Sequence, residues 1–210
     1  LNQESKEPQR RAHACEREIE MLSFGAIDAI VEHIIELTGV VTSGSSFDLV
    51  PFNSSFKRSF STTSRTDDDQ DYLGSYIMCF MTLLDFMSLS NYEKLFETRS
   101  TRQCKELLIH IFMVFLNALY YFNDSWLEVK MAVNRIILQS LASLRSIMSQ
   151  EFLGTDKFDI TIWRTYFKLS IAFLTQARLQ FEPNAPYWKR RFILDTYGGD
   201  MRIAMGHELV

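Results

Sequence analysis

A chain of 210 residues, 47% hydrophobic and 23% charged, has the ordinary globular balance and can bury a real core in one domain or one stretch of a longer array, which excludes disorder of the whole. Its formal charge is −4 and its lysines and arginines are scattered, which argues against a nucleic-acid footprint. Three cysteines, Cys15, Cys79 and Cys104, stand far apart with no CxxC pair, so neither a disulfide framework nor a zinc site is expected and a reducing, cytoplasmic compartment fits.

The chain opens on LNQESKEPQRR, polar and charged, which predicts no signal peptide at this end and reads as a piece cut from something longer. From Cys15 to Leu37 the apolar residues Ile19, Leu22, Ala26, Ile30, Ile34 and Leu37 recur at spacings of three and four, the mark of one helical face, and Gly39 stands where a helix ends. This gives an N-terminal helical segment over 1–42. Residues 43–72 are rich in Ser, Thr and Asp, hold Pro51 and lack any sustained period, which predicts a disordered, flexible insert. Its scattered Phe47, Phe52, Phe56 and Phe60 carry no definite message. Lys57-Arg58 ahead of Ser59 and Ser61 would suit a basophilic kinase, although the motif is short and common.

From residue 73 to 210 the pattern is helical, with helices expected at about 75–89, 91–97, 102–122, 125–149, 158–180 and 186–197. Ser125 with Glu128 forms a capping-box pattern, in which loss of the Ser would cost about 1 kcal/mol. Gly154 and Gly198 follow helical runs, where a left-handed residue closes the last turn, and Pro186 falls in the first turn of its helix. The last ten residues, MRIAMGHELV, read as a helix still in progress, so the region is expected to be truncated at its C-terminal end. The stretch from Leu107 to Phe122 is nearly continuously apolar but spans only sixteen residues and contains His110 and Asn117, short of the roughly 20 that cross a bilayer. A helix buried on several sides is expected there, not a membrane span. The class is all-α, built from antiparallel pairs that either close into a bundle or stack as a solenoid.

No catalytic, cofactor-binding or metal site is expected. The four histidines, His13, His33, His110 and His207, stand on separate segments, and acid–base chemistry needs paired groups. His33 and Glu36 share a helix face but are two ligands without a second pair, which makes a surface polar pair the better reading. Nucleotide-cradling and nucleophile-elbow patterns are absent from the sequence, and Gly198-Gly199 fits a turn. The series Phe158, Ile162, Tyr166, Leu169 and Phe173 is spaced as a core face. Lys189-Arg190-Arg191 could meet an acidic lipid or partner but is more often solvated surface.

The second half carries a longer, ordered series: WLEVKMAVNRIILQSLASL from Trp126, FDITIWRTYFKLSIAFLTQARLQFE from Phe158, and KRRFILDTYGGDMR from Lys189. With Trp163, Tyr166, Phe167, Leu169, the run Ala172 to Gln176, Leu179-Gln180 and Tyr197 to Arg202 as its most diagnostic residues, this series resembles the dedicator-of-cytokinesis (DOCK) family of GTPase exchange factors. The likeness covers roughly 120–208 and weakens back to about Met78; the family's Tyr-Gly-Asp-Met-Arg run is interrupted here by Gly199.

The resemblance implies an armadillo-like helical-repeat (α-solenoid) segment placed after a phosphoinositide-binding domain and before an exchange domain that acts on Rac-type GTPases. Catalytic residues of that exchange domain would lie beyond Val210. The implied function is a non-catalytic scaffold that spaces the two domains and offers surfaces to partners such as ELMO-type adaptors, in a cytoplasmic protein recruited to membranes only through its other domains. The alternatives are a fragment that itself binds a GTPase and stimulates exchange, and an unrelated bundle that binds an amphipathic peptide.

Overall fold

The computed structural model describes residues 7–38, 67–122, 126–154, 157–176, 179, 186–195 and 198–209, the side chains of 7–22, 67–71, 189, 190, 193 and 195 excepted. Among the described residues there are eight helices and no strand: α1 (Glu7–Thr38), α2 (Asp67–Asp85), α3 (Leu89–Glu97), α4 (Thr101–Tyr121), α5 (Leu127–Phe152), α6 (Ile160–Leu174), α7 (Tyr187–Asp195) and α8 (Met201–Glu208). The all-α expectation holds.

Local chemistry sets the ends. Ser88 and Asn91 form a reciprocal capping box at α3, and Ser100 with Gln103 does the same at α4. Asp159 caps α6 and Asp200 caps α8, each accepting from an amide two residues on at 2.9 Å. α2 starts at Asp67, before the expected 75. α6 stops at Leu174, short of the expected 180. There the Thr175 hydroxyl donates back to the Ile171 carbonyl at 2.8 Å and the Gln176 amide turns to the Phe173 carbonyl at 3.2 Å.

Two of the expected punctuation marks, Gly154 and Pro186, fall differently. The N-cap of α5 is Trp126, with no side-chain capping bond; the expected Ser125–Glu128 box lies outside the described residues, as Ser125 does. Gly154 has no positive φ, because α5 closes on Leu153 in right-handed helical geometry. Pro186 stands one residue before α7 instead of inside its first turn. Gly198 does turn left-handed, at φ 77°, and Gly199 at φ 134° donates its N–H to the Leu194 carbonyl at 2.8 Å, the bond that closes a helix around such a residue.

The helices stack as pairs in two layers. α1 packs on α2, α4 on α5, and α6 on α8, while laterally α1 lies against α4 and α4 against α6, and α2 lies against α5 and α5 against α8. Short α3 packs on α5. Lys105 near the start of α4 meets Asp159 at the start of α6, so these neighbours run the same way. Trp163 of α6 instead donates to the carbonyl of Phe152 at the end of α5, at 2.9 Å, as an antiparallel neighbour does. Such layering of helix pairs is the architecture of a helical-repeat array.

α4 is the centre. Ile111, Phe112, Val114 and Phe115 are fully buried, and the core runs continuously from Ile27 of α1 to Met205 of α8. By length and composition α4 could cross a membrane, but 72% of that stretch is buried against other helices, which accounts for its apolar character. In α1 the packed face centres on Ile27, Val31 and Ile34, one position round from the expected stripe, leaving Ala26 and Ile30 half-buried at its edge. Phe158, expected in the core, is 55% exposed because it precedes the Asp159 cap and so lies outside the helical turn that faces inward.

Candidate interaction site

Acid–base or metal chemistry requires side chains to converge, and the histidines with described side chains, His33, His110 and His207, stand on three different helices, α1, α4 and α8. The His33 Nδ1 lies 3.7 Å from a Glu36 carboxylate oxygen, with both side chains open to solvent, and its ring meets Tyr76 edge-on at 4.6 Å. His110 is half-buried on α4, where burial pulls its pKa below the usual range against the opposing charges of Glu106 and Glu32, so its ring is neutral at pH 7. His207 is exposed in the last turn of α8, and the His13 side chain is outside the described residues. Among the described residues no group of three or more His, Cys, Asp or Glu side chains gathers as a metal would require.

The other perturbed groups have structural causes. Burial pushes the Tyr92 phenol up to about 12 although its hydroxyl donates to Ser140 Oγ at 2.8 Å. Burial likewise raises the Cys104 thiol, whose Sγ faces the Phe96 carbonyl at 3.6 Å. Cys79 is free and exposed. Of the basic run, Arg191 is exposed on α7, while the Lys189 and Arg190 side chains, like Ser59 and Ser61, are outside the described residues.

α6 is where the packing leaves a face open. Its start is anchored by Asp159, which pairs with Lys105 of α4, and its inner face buries Ile162, Tyr166, Leu169 and Phe173 completely or nearly so. Tyr166 reaches on to donate to the Glu208 carbonyl at 3.1 Å, and Arg145 of α5 donates to the same oxygen at 2.9 Å, so two charges or dipoles of the array hold the end of α8. The outer face carries Ile160, Phe167 and Ile171, exposed at 61%, 46% and 60%. At 3.6 residues per turn these fall on one stripe, opposite Leu169 and Phe173.

Half-buried Trp163 and Leu174 widen the stripe, with the Trp163 ring 6.1 Å from Phe167. Arg164 and Lys168 border it on one side, and α6 carries no acidic residue. Neither cation is in a salt bridge among the described residues. Such a face can hold another amphipathic helix by apolar burial and charge pairing. The sequence carried a sign of it, since apolar residues also recur at 160, 163, 167, 171 and 174. A helix apolar on two sides needs two partners.

Comparison with known proteins places the chain. Residues 8–210 match the family model for the dedicator of cytokinesis (DOCK) TPR region. The chain is 29% identical over 195 residues to dedicator of cytokinesis protein 4 of Mus musculus, covering 91% of this chain and 9% of that protein. It is 35% identical over 139 residues to dedicator of cytokinesis protein 3 of Homo sapiens, covering 65% of this chain and 7% of that protein. The chain thus spans less than a tenth of the length of these curated relatives. No solved structure matches it.

Proposed function

This chain belongs to the dedicator-of-cytokinesis (DOCK) family, in its helical TPR region, and on that premise we propose that it is a non-catalytic scaffold segment of a guanine nucleotide exchange factor for Rac-type small GTPases. In this reading the segment spaces a lipid-binding domain from an exchange domain and offers its faces to partners, ELMO-type adaptors among them. The parent is cytoplasmic and reaches membranes through its other domains. The observation that carries the reading is the two-layer stack of helix pairs within the stretch matched to the family.

The mechanism is geometric. Helix pairs stacked side by side contact mainly their neighbours, so one continuous core from α1 to α8 fixes the distance and angle between whatever joins its two ends. A residue such as Leu169, fully buried between layers, contributes to that rigidity without touching nucleotide or GTPase.

Release of a fluorescent nucleotide from a Rac-type GTPase tests this. Residues 1–210 alone should leave the release rate unchanged, and Leu169→Ala in the full-length parent should lower its exchange on vesicles while the isolated exchange domain keeps its own rate. Acceleration by residues 1–210 alone would replace the scaffold with a segment that stimulates exchange directly. A native polypeptide near 24.5 kDa in source cells would remove the multidomain parent altogether.

A further inference from the structure

We propose that the outer face of α6 is the seat of the next helix of the same array, an amphipathic helix with an acidic flank that the parent polypeptide contributes from outside these 210 residues. The inference rests on the scaffold reading and names what its open face receives.

Continuity of the layer is the first argument. α4 is covered on one side by α1 and on the other by α6. α6 is covered by α4 and α8, and its opposite side is the stripe of Ile160, Phe167 and Ile171. A further helix laid on α6 repeats the step that leads from α1 to α4 and from α4 to α6. An array unit without its neighbour exposes the apolar side that the neighbour would bury, and a contiguous apolar stripe on an otherwise polar surface marks such a place.

Charge identifies the occupant further. The chain as a whole is acidic at −4, yet the open face of α6 is bordered by Arg164 and Lys168 with no acid on the helix. A helix carrying Asp or Glu along one flank of its own apolar stripe pairs with both cations while burying Phe167 and Ile171. Dedicator of cytokinesis protein 4 of Mus musculus shares only 9% of its length with this chain, so a family polypeptide has ample sequence to supply it.

Photocrosslinking in the full-length parent decides the matter. Phe167→p-benzoylphenylalanine, with Ile171→p-benzoylphenylalanine as a second probe, replaces an exposed side chain and leaves the inner face of α6 intact. Irradiation should give an intramolecular cross-link, and mass spectrometry should place the captured peptide outside residues 1–210, in a helical segment with Asp or Glu beside its apolar stripe. Adding R164E and K168E should cut the yield at least threefold.

A cross-link to a second copy, to another protein or to a peptide within 1–210 overturns the proposal, as does a yield no higher than that from Glu93→p-benzoylphenylalanine on the exposed side of α3. Nucleotide exchange separates the two readings. If Leu169→Ala still depresses exchange but Phe167 captures nothing, the docking face alone fails. If capture succeeds while Leu169→Ala leaves exchange unchanged, the spacing role alone fails.

Discussion

Lys105, on α4, pairs with Asp159, the residue whose other carboxylate oxygen caps α6 by accepting from the amides of Thr161 at 2.9 Å and Ile162 at 3.3 Å. One side chain therefore starts the helix that carries the open face and ties it to the centre of the array. The two tasks are separable by substitution. Asp159→Ala should cost about 1–2 kcal/mol in a urea titration at pH 7, whereas Asp159→Asn keeps a good capping oxygen and should cost less. Equal losses would show that the charge on Lys105, not the cap, holds α6.

The same carboxylate gives a pH signature. Burial pulls the Asp159 pKa upward, but the hydrogen bond from Lys105, the two amides and the Lys105 charge outweigh it and hold the folded value below the ordinary range. A depressed carboxylate stabilises the fold fully above its unfolded pKa of about 3.9 and loses that contribution as pH falls through the folded value. The advantage of the wild type over Asp159→Asn should thus be constant from neutral pH down to about pH 5 and shrink below about pH 4. An advantage that grew on acidification would contradict the pairing.

Gly74 on α2 lies under the ring of Tyr121 at the end of α4. A Cβ added there would stand 2.8 Å from the Tyr121 hydroxyl oxygen and 2.9 Å from Cε1. Ala is the better helix former by about 1 kcal/mol, but the overlap should reverse the sign and make Gly74→Ala destabilising by about 1–3 kcal/mol. In a Tyr121→Leu background the clash is gone and the same change should stabilise. A double-mutant cycle by chemical denaturation measures the reversal; an unchanged sign would mean that close approach of the Tyr121 ring is not why glycine stands there.

Two buried asparagines should respond in opposite directions to the same substitution. Asn134, fully buried on α5, exchanges hydrogen bonds with Gln176 at 3.3 Å in both directions. Asn117 on α4 is 5% exposed, and its Nδ2 has no hydrogen-bond partner among the described residues. Asn117→Leu removes a desolvated, unsatisfied donor and should raise stability by about 1–2 kcal/mol, while Asn134→Leu strands the Gln176 Oε1, whose Nε2 keeps its bond to the Phe173 carbonyl, and should lower it by about 1–3 kcal/mol. Thermal or urea midpoints that moved together would refute the distinction.

Much of this was legible because helix period and family series are local properties of sequence. Ile162, Leu169 and Phe173 were placed in the core from spacing alone and are all fully buried. Phe158 continued the same spacing but is solvent-exposed, because periodicity cannot tell that Asp159 takes the cap and begins the helix one residue later. The box at Ser88 has no familiar sequence sign, because its return partner is Asn91 where Glu or Gln is usual. The grip of Tyr166 on α8 could not be read, since its acceptor is the backbone carbonyl of Glu208 and any residue supplies one, and the ion pair of Arg145 with the Glu208 carboxylate at 3.5 Å joins helices far apart in sequence. The second stripe of α6 was present in the letters, and only the packing showed which of the two apolar sides is already occupied.

That division of α6 makes the last prediction. Leu169 and Phe173 are wholly buried against the array, whereas Ile171, between them in sequence, is 60% exposed on the opposite side. Leu169→Ala or Phe173→Ala removes packed atoms and leaves a cavity, so each should cost about 2–5 kcal/mol in residues 1–210. Ile171→Ala removes atoms that touch mostly water and should change stability there by no more than about 0.5 kcal/mol. In the full-length parent, a helix seated on this face would bury Ile171, and the cost of the same substitution should rise toward that of a core position. Urea titration of the short chain, paired with hydrogen exchange of residues 160–174 in the parent, measures both. A loss at Ile171 that is already large in the short chain would mean that its side chain is packed within these 210 residues, and a loss that stays small in the parent would leave the face of α6 open to solvent in both.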